Sequence, residues 1–231
     1  MTISFITGAN KGLGYEAARR LKELGHTVLL GARDPGRGRT AADALGVRFV
    51  RIDVADDDSV AGAVADVKAH EGHIDVLINN AGIAGTRAAI ADITGEDALE
   101  VYNTNVVGIV RVTNAFLPIL RLSESPVIVN VSSQMGSFAT NHDPDQIQSR
   151  IIMPLYQSSK AAVGMLTVIY ARALPELRVN AVAPGFTATD FTSHRGTQTV
   201  TEGTDAMVAL ATIGKDGPTG TFQDRAGVVA W

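Results

Sequence analysis

Tyr156 and Lys160 stand four residues apart in a stretch of helical character, which puts a phenol and an ammonium on one helix face. A phenol beside a positive charge is a tunable proton donor and acceptor. The pairing predicts a Tyr156 pKa drawn down from its ordinary value of about 10 toward working pH. Ser133, just beyond the apolar run Val127 to Val131, sits at a strand end where its hydroxyl can bond the same substrate oxygen. Proton transfer at an oxygen is half a reaction, and the other half is indicated near the start of the chain. There Thr7-Gly8-Ala9-Asn10-Lys11-Gly12-Leu13-Gly14 separates a short apolar strand from an amphipathic helical pattern. Glycines let a backbone bend sharply and approach a ligand, and the free N–H groups of a helix start attract an anion. A pyrophosphate suits this cradle, with Gly8, Asn10, Lys11, Gly12, Leu13 and Gly14 as its candidate contacts.

The glycine spacing departs from G-x-G-x-x-G, so the elements that follow carry much of the weight. Thr27 to Leu30 forms a second strand and completes a βαβ unit. In such units an acidic residue after the second strand holds ribose hydroxyls, whereas an arginine there accommodates a 2′-phosphate. Arg33 leads, Lys11 adds a second cation, and Asp34 is the competing ribose carboxylate; the balance favours NADPH over NADH. Further strands are expected at Val47 to Ile52, Ile74 to Ile78, Val127 to Val131 and Arg178 to Ala183. Helices are expected at Asp56 to His70, Glu96 to Leu122, Gln157 to Ala173 and Thr201 to Thr212, with an edge strand at Thr221-Phe222. This alternation predicts an α/β fold: one Rossmann-type doubly wound parallel sheet over residues 1–231, with helices on both faces. In such sheets ligands bind at the carboxyl ends of strands, and Gly8 to Gly14, Arg33, Asp53, Asn80, Ser133 and Pro184 all fall there.

Composition narrows the chemistry. With no cysteine, disulfides, thiolate nucleophiles and sulfur-ligated zinc are excluded. The net charge of -4 offers no footprint for nucleic acid, and no apolar run approaches the roughly 18 to 20 residues that span a bilayer. The first residues lack an export signal, which favours the cytoplasm. Asp56-Asp57-Asp58 suits a helix N-terminus, the five histidines lack ligand spacing, and no metal is expected.

Taken together, Thr7-Gly8-x-x-x-Gly12-x-Gly14, Asn79-Asn80-Ala81-Gly82, Asn105-x-x-Gly108, Ser133, Tyr156-x-x-x-Lys160 and Pro184-Gly185 resemble the short-chain dehydrogenase/reductase family over essentially the whole chain. The resemblance implies that Tyr156 is the acid/base, Lys160 also grips the nicotinamide ribose, Ser133 orients the carbonyl, and Asn105 supports a water leading to Lys160. It places Asp53 and Val54 beside the adenine and Asn80, Ala81 and Gly82 beside the adenosine ribose. Thr187 and Thr189, after Pro184 and Gly185, would meet the nicotinamide amide or the phosphates. The implied activity is NADPH-dependent reduction of a small ketone or aldehyde, or oxidation of a secondary alcohol. A nucleotide-binding redox sensor or interaction protein is the alternative, although it has no chemical need for Ser133, Tyr156 and Lys160 together. An epimerase or dehydratase would carry a larger C-terminal substrate domain.

Ser133 and Tyr156 are 23 positions apart, wider than is common in the family. The extra residues fall within about 138–155 and resemble the insertion of the carbonyl-reductase branch. Ile147, Ile151 and Ile152 predict a packed face there and part of a substrate wall. An insertion covering the usual dimerisation surface implies a monomer, and otherwise a homo-oligomer. Residues 187–203 match the mobile substrate lid, whose shortness suggests an open pocket.

Overall fold

Each apolar run becomes a strand because both faces of the sheet are buried, which favours near-continuous aliphatic sequence. The computed structural model describes residues 1–231. In chain order it contains β1 (Ile3–Ile6), α1 (Gly12–Glu23), β2 (Thr27–Ala32), α2 (Pro35–Leu45), β3 (Arg48–Arg51), α3 (Asp57–His70) and β4 (Val76–Asn79). Then come α4 (Gly95–Tyr102), a π turn (Asn103–Val107), α5 (Gly108–Leu120), β5 (Val127–Val131), α6 (Phe138–His142), α7 (Pro154–Ala173) and β6 (Arg178–Val182). The chain closes with α8 (Val200–Gly203), α9 (Asp205–Ala211), β7 (Phe222–Asp224) and β8 (Gly227–Val228).

The strands lie in the order β3-β2-β1-β4-β5-β6-β7-β8, and only the last pair is antiparallel. After β3 the chain returns to the other side of β1, so a crevice opens where the order reverses, at the ends of β1 and β4. Alternation within strands assigns residues to the two faces. Ile6, Leu30, Ile78 and Val129 pack with Leu21 of α1 and Met207 of α9. Phe5, Leu29, Leu77 and Ile128 pack against Val60 of α3 and Phe116 of α5, with the Phe5 and Phe116 rings 4.6 Å apart. Register at the centre is also marked by polar groups. Asn79 and Asn130 are opposed on β4 and β5; Asn79 Nδ2 donates to Asn130 Oδ1 at 2.9 Å, and Asn130 Nδ2 donates to Thr167 Oγ1 at 3.0 Å. A satisfied buried network of this kind favours a single register.

Several elements differ from expectation for identifiable reasons. Helix α2 occupies a stretch whose Pro35, Gly36 and Gly38 suggest only a turn. Asp34 caps it, and Gly38 permits close packing, since a Cβ there would lie 2.1 Å from the Phe49 ring. The expected helix from Glu96 to Leu122 is interrupted by the π turn that carries Asn105. Thr201 to Thr212 divides into α8 and α9 at Thr204, whose hydroxyl donates to the Val200 and Thr201 carbonyls. The strand beginning at Phe222 is interior, because Asp224 accepts from the Ala226 and Gly227 N–H groups and turns the chain back into β8, the actual edge. No helix is long and apolar enough to cross a membrane.

Ile147, Ile151 and Ile152 form no packed face; all three are exposed. Amides hold the insertion instead. Gln157 Nε2 donates to Asn141 Oδ1 at 2.6 Å, and the Met153 N–H donates to Gln157 Oε1 at 2.7 Å. Leu99 of α4 and Met165 and Ile169 of α7 are also exposed, so the insertion leaves these positions bare.

Candidate active site

The glycine cradle is shaped by steric requirement. Gly8 and Gly12 have φ of 63° and 56°, a region that disfavours side chains. At Gly14 a Cβ would lie 2.5 Å from Asn80 Nδ2 and 2.8 Å from the Gly8 carbonyl oxygen. Asn80 braces the loop from the end of β4: its Nδ2 donates to the carbonyls of Thr7 at 2.9 Å and Gly8 at 3.1 Å. The backbone N–H groups of Asn80 and Ala81 in turn donate to Thr7 Oγ1. No side chain caps the first turn of α1, where Leu13 and Gly14 sit. A bare helix start behind a loop that only glycine can form fits a dinucleotide pyrophosphate.

Around the cradle, Arg33 is exposed at the end of β2. Asp34 is occupied: its Oδ1 accepts the Arg37 N–H at 2.9 Å, and that bond holds its carboxyl below the usual carboxylate range. Asp53 Oδ1 accepts from the Ala55 N–H at 3.0 Å, and Val54 is buried against Gly108. Gly82 lies near both Asn105 and Lys160, since a Cβ there would be 3.2 Å from Asn105 Oδ1 and 3.5 Å from Lys160 Nζ.

Tyr156 and Lys160 occupy the first turns of α7, which Pro154 helps to start. The helix is fastened to the end of β5. Lys160 Nζ donates to the Val131 carbonyl at 2.7 Å, Ser132 Oγ donates to the Lys160 carbonyl at 2.9 Å, and a Cβ on Gly136 would strike the Lys160 backbone. Ser132 is therefore structural, while Ser133 accepts only the Met135 N–H and has its hydroxyl against the Tyr156 phenol. Asn105 is buried and committed to protein: Oδ1 accepts the Ile83 N–H at 2.8 Å, and Nδ2 donates to the Ile83 carbonyl at 2.9 Å and to Ser159 Oγ at 3.0 Å. Its side chain thus fixes the loop after β4.

The expected lowering of the Tyr156 pKa is overturned. Loss of hydration pushes the phenol up to about 12, against the opposing pull of the Ser133 hydroxyl. Burial likewise brings the Lys160 amine down to about 8. The two residues share a face as the spacing requires, but Nζ turns toward Val131 and lies 5.7 Å from the phenol ring centroid. In the free protein, desolvation outweighs attraction, and Tyr156 is held as a neutral proton donor.

Residues 187–203 close over this rim. Thr187 is buried with its Oγ1 donating to the Pro184 carbonyl at 3.0 Å, and Thr189 packs on Gly12. Asp190 joins Lys11 at 2.9 Å and His194 at 3.0 Å, and the Phe191 ring lies 5.5 Å from that of Tyr156. Short as it is, the segment is tied to the cradle through Lys11 and reaches the Tyr156 ring through Phe191. The sequence offered only a lone aromatic in a polar stretch for Phe191, and nothing for Asp190 or Ser159. On the other side, Gln134 Nε2 donates to Asp224 at 2.7 Å, and Gln148 Nε2 donates to Gln134 Oε1 at 2.7 Å, tying the insertion to the residue after Ser133.

Known proteins share the sequence pattern and the fold. The family model described as short chain dehydrogenase matches residues 2–199. A (+)-neomenthol dehydrogenase of Capsicum annuum is 30% identical, covering 94% of this chain and 93% of its own. Salutaridine reductase of Papaver bracteatum is 32% identical over 97% and 94% respectively. These alignments extend over 293 and 294 positions against 231 residues here, so both relatives carry segments without a counterpart in this chain. The NADPH-bound carbonyl reductase from chicken fatty liver superposes with a TM-score of 0.88 at 28% identity, covering 100% of each chain. By motif, fold and alignment, this chain belongs to the short-chain dehydrogenase/reductase family of oxidoreductases.

Proposed function

We propose that the protein is an NADPH-dependent reductase of a small ketone or aldehyde, equally able to oxidise the matching secondary alcohol, with Tyr156 as acid/base. The observation that carries the reading is the juxtaposition of the Tyr156 phenol, the Ser133 hydroxyl beside it and the Lys160 amine 5.7 Å from the ring centroid, at the same rim as the glycine cradle. Gly8, Asn10, Lys11, Gly12, Leu13 and Gly14 would hold the pyrophosphate, Asp53 and Val54 the adenine, and Asn80, Ala81 and Gly82 the adenosine ribose. Pro184, Gly185, Thr187 and Thr189 would line the nicotinamide end, and Lys160 the ribose next to it. The bound nicotinamide supplies or accepts the hydride. In reduction, Tyr156 gives its proton to the substrate oxygen as negative charge develops there. Ser133 donates a second hydrogen bond to that oxygen, Lys160 stabilises the resulting phenolate, and Asn105 acts at a distance by fixing Ile83 and Ser159. Phe191 packs beside the Tyr156 ring, 5.5 Å away, where it would border the substrate.

The preference for NADPH rests on Arg33 being exposed while Asp34 is held by the start of α2. Arg33→Ala is expected to weaken NADPH binding about 10- to 100-fold, the worth of a hydrogen bond to a charged group, and to change NADH binding little. Equal losses in fluorescence titrations would remove the 2′-phosphate assignment. The activity itself is tested with purified protein, NADPH and a panel of ketones, aldehydes and quinones, following nicotinamide absorbance. Oxidation of NADPH by one of these classes is the expected result; tight binding without oxidation across the panel would support a sensor instead. Because Leu99, Met165 and Ile169 are bare, the proposed form is a homo-oligomer, and a monomer mass in light scattering would contradict it.

A further inference from the structure

The insertion after Ser133 reaches back to both members of the Ser133 and Tyr156 pair through one amide. Ser133 opens a 3-10 turn, Gln134–Gly136, and its Oγ accepts the Met135 N–H at 3.2 Å, so this turn fixes where the hydroxyl lies. Helix α6 in turn holds the carbonyls of that turn. Thr140 Oγ1 donates to the Gln134 carbonyl at 2.6 Å, and Asn141 Nδ2 donates to the carbonyls of Met135 at 2.9 Å and Ser137 at 2.6 Å.

The other end of the Asn141 amide faces α7. Its Oδ1 accepts Gln157 Nε2 at 2.6 Å, and Gln157 Oε1 accepts the Met153 N–H at 2.7 Å, where α7 begins. Gln157 follows Tyr156 directly. Hydrogen bonds therefore run unbroken from the turn that carries Ser133 to the first turn of the helix that carries Tyr156. In both Asn141 and Gln157 the amide oxygen and the amide nitrogen are engaged, and both side chains are half-buried. A satisfied network of this kind is stiffer than its bonds would be singly. The covalent path between the two groups is no substitute, because from Asp143 to Ile152 it is mostly exposed.

We propose that Asn141 is a positioning residue for the reaction: by tying the Met135 and Ser137 carbonyls to Gln157, it sets the separation between the Ser133 hydroxyl and the Tyr156 phenol. The proposal rests on the acid/base reading above. Both groups must meet one substrate oxygen, Tyr156 with a proton and Ser133 with a hydrogen bond, and a misplacement of about 1 Å at such a site can cost about 100-fold in rate. Asn141 itself touches neither substrate nor cofactor and acts through Ser133. The insertion is thereby part of the catalytic geometry.

The test is a mutant cycle on NADPH-dependent carbonyl reduction, with kcat, KM, the NADPH dissociation constant and the melting temperature measured for each protein. Asn141→Ala and Gln157→Met cut the connection from opposite ends, so each should lower kcat about 10- to 100-fold and leave the NADPH dissociation constant within about twofold. The double variant should lose no more than either alone, because a single connection is broken. Ser133→Ala should lower kcat about 100-fold or more, and adding Asn141→Ala to it should cost less than about twofold further, since the hydroxyl that Asn141 places is gone. Gln157→Met in the Ser133→Ala background gives the same comparison should Asn141→Ala fail to fold. A lower melting temperature with kcat unchanged would show a role in folding only and overturn the proposal. An equal loss of kcat with and without Ser133 would overturn it as well. If Ser133→Ala left kcat unchanged, or the wild type reduced no carbonyl, the acid/base reading would fall instead, and this proposal with it.

Discussion

Tyr156→Phe is expected to lower kcat/KM for carbonyl reduction about a thousandfold or more while leaving the NADPH dissociation constant within about twofold. The substitution removes one oxygen and keeps the ring, so the contact with Phe191 at 5.5 Å and the packing of α7 survive. What is lost is the proton. The phenol is protonated at neutral pH, and burial, which pushes it up to about 12, keeps it so in the free protein; general acid catalysis by a positioned group contributes about 10²- to 10⁴-fold. The loss sits at the upper end of that range because the alternatives near the oxygen are poor. Ser133 has no base behind it, and Lys160 Nζ is turned to the Val131 carbonyl at 2.7 Å. Steady-state kinetics beside a nucleotide titration separates the two effects. A variant keeping a tenth of the activity would show that another group, or water, delivers the proton.

The positions of the chemical groups were legible in the sequence because each obeys a local rule that burial does not override. Gly8, Gly12 and Gly14 are required by backbone conformation or close approach, and the apolar runs leave little choice but a covered parallel sheet, whose strand ends then share one rim. The electrostatics were not legible. Spacing puts Tyr156 and Lys160 on one face, yet the direction of the ammonium depends on the Val131 carbonyl, a backbone acceptor that no side-chain pattern reveals. The insertion misled for a related reason. Three isoleucines suggest a packed face, but polar pairings far apart in sequence, Gln148 with Gln134 and Gln157 with Asn141, decide which way the segment turns. Lys11 and Asp190 meet only through the fold, so this tie was invisible to local reasoning.

Lys160→Met should separate function from stability, because the same burial that tunes the amine opposes folding. Turnover is expected to fall at least about a hundredfold, since the phenolate left after proton transfer loses its neighbouring charge and the nicotinamide ribose loses its proposed donor. Stability at pH 7 should nevertheless rise. The amine titrates at about 8 in the folded protein and about 10.4 in the unfolded chain, so the unfolded chain binds more protons between those values. This group's contribution to stability therefore increases with pH through that window. It is least favourable below about 8, where both states are protonated and the buried charge costs about 3 kcal/mol. Methionine of similar length removes that cost, while the Val131 carbonyl loses its donor at a penalty of about 1–2 kcal/mol. The net gain at pH 7 is about 1–2 kcal/mol, or about 2–8 °C in Tm for a chain of this size. By about pH 10 the wild type recovers most of the difference and the advantage should vanish. Thermal melts at the two pH values read this directly. A variant that is less stable at pH 7, with a deficit unchanged at pH 10, would mean that Lys160 is carried by its surroundings without strain, and that the low amine pKa has another cause.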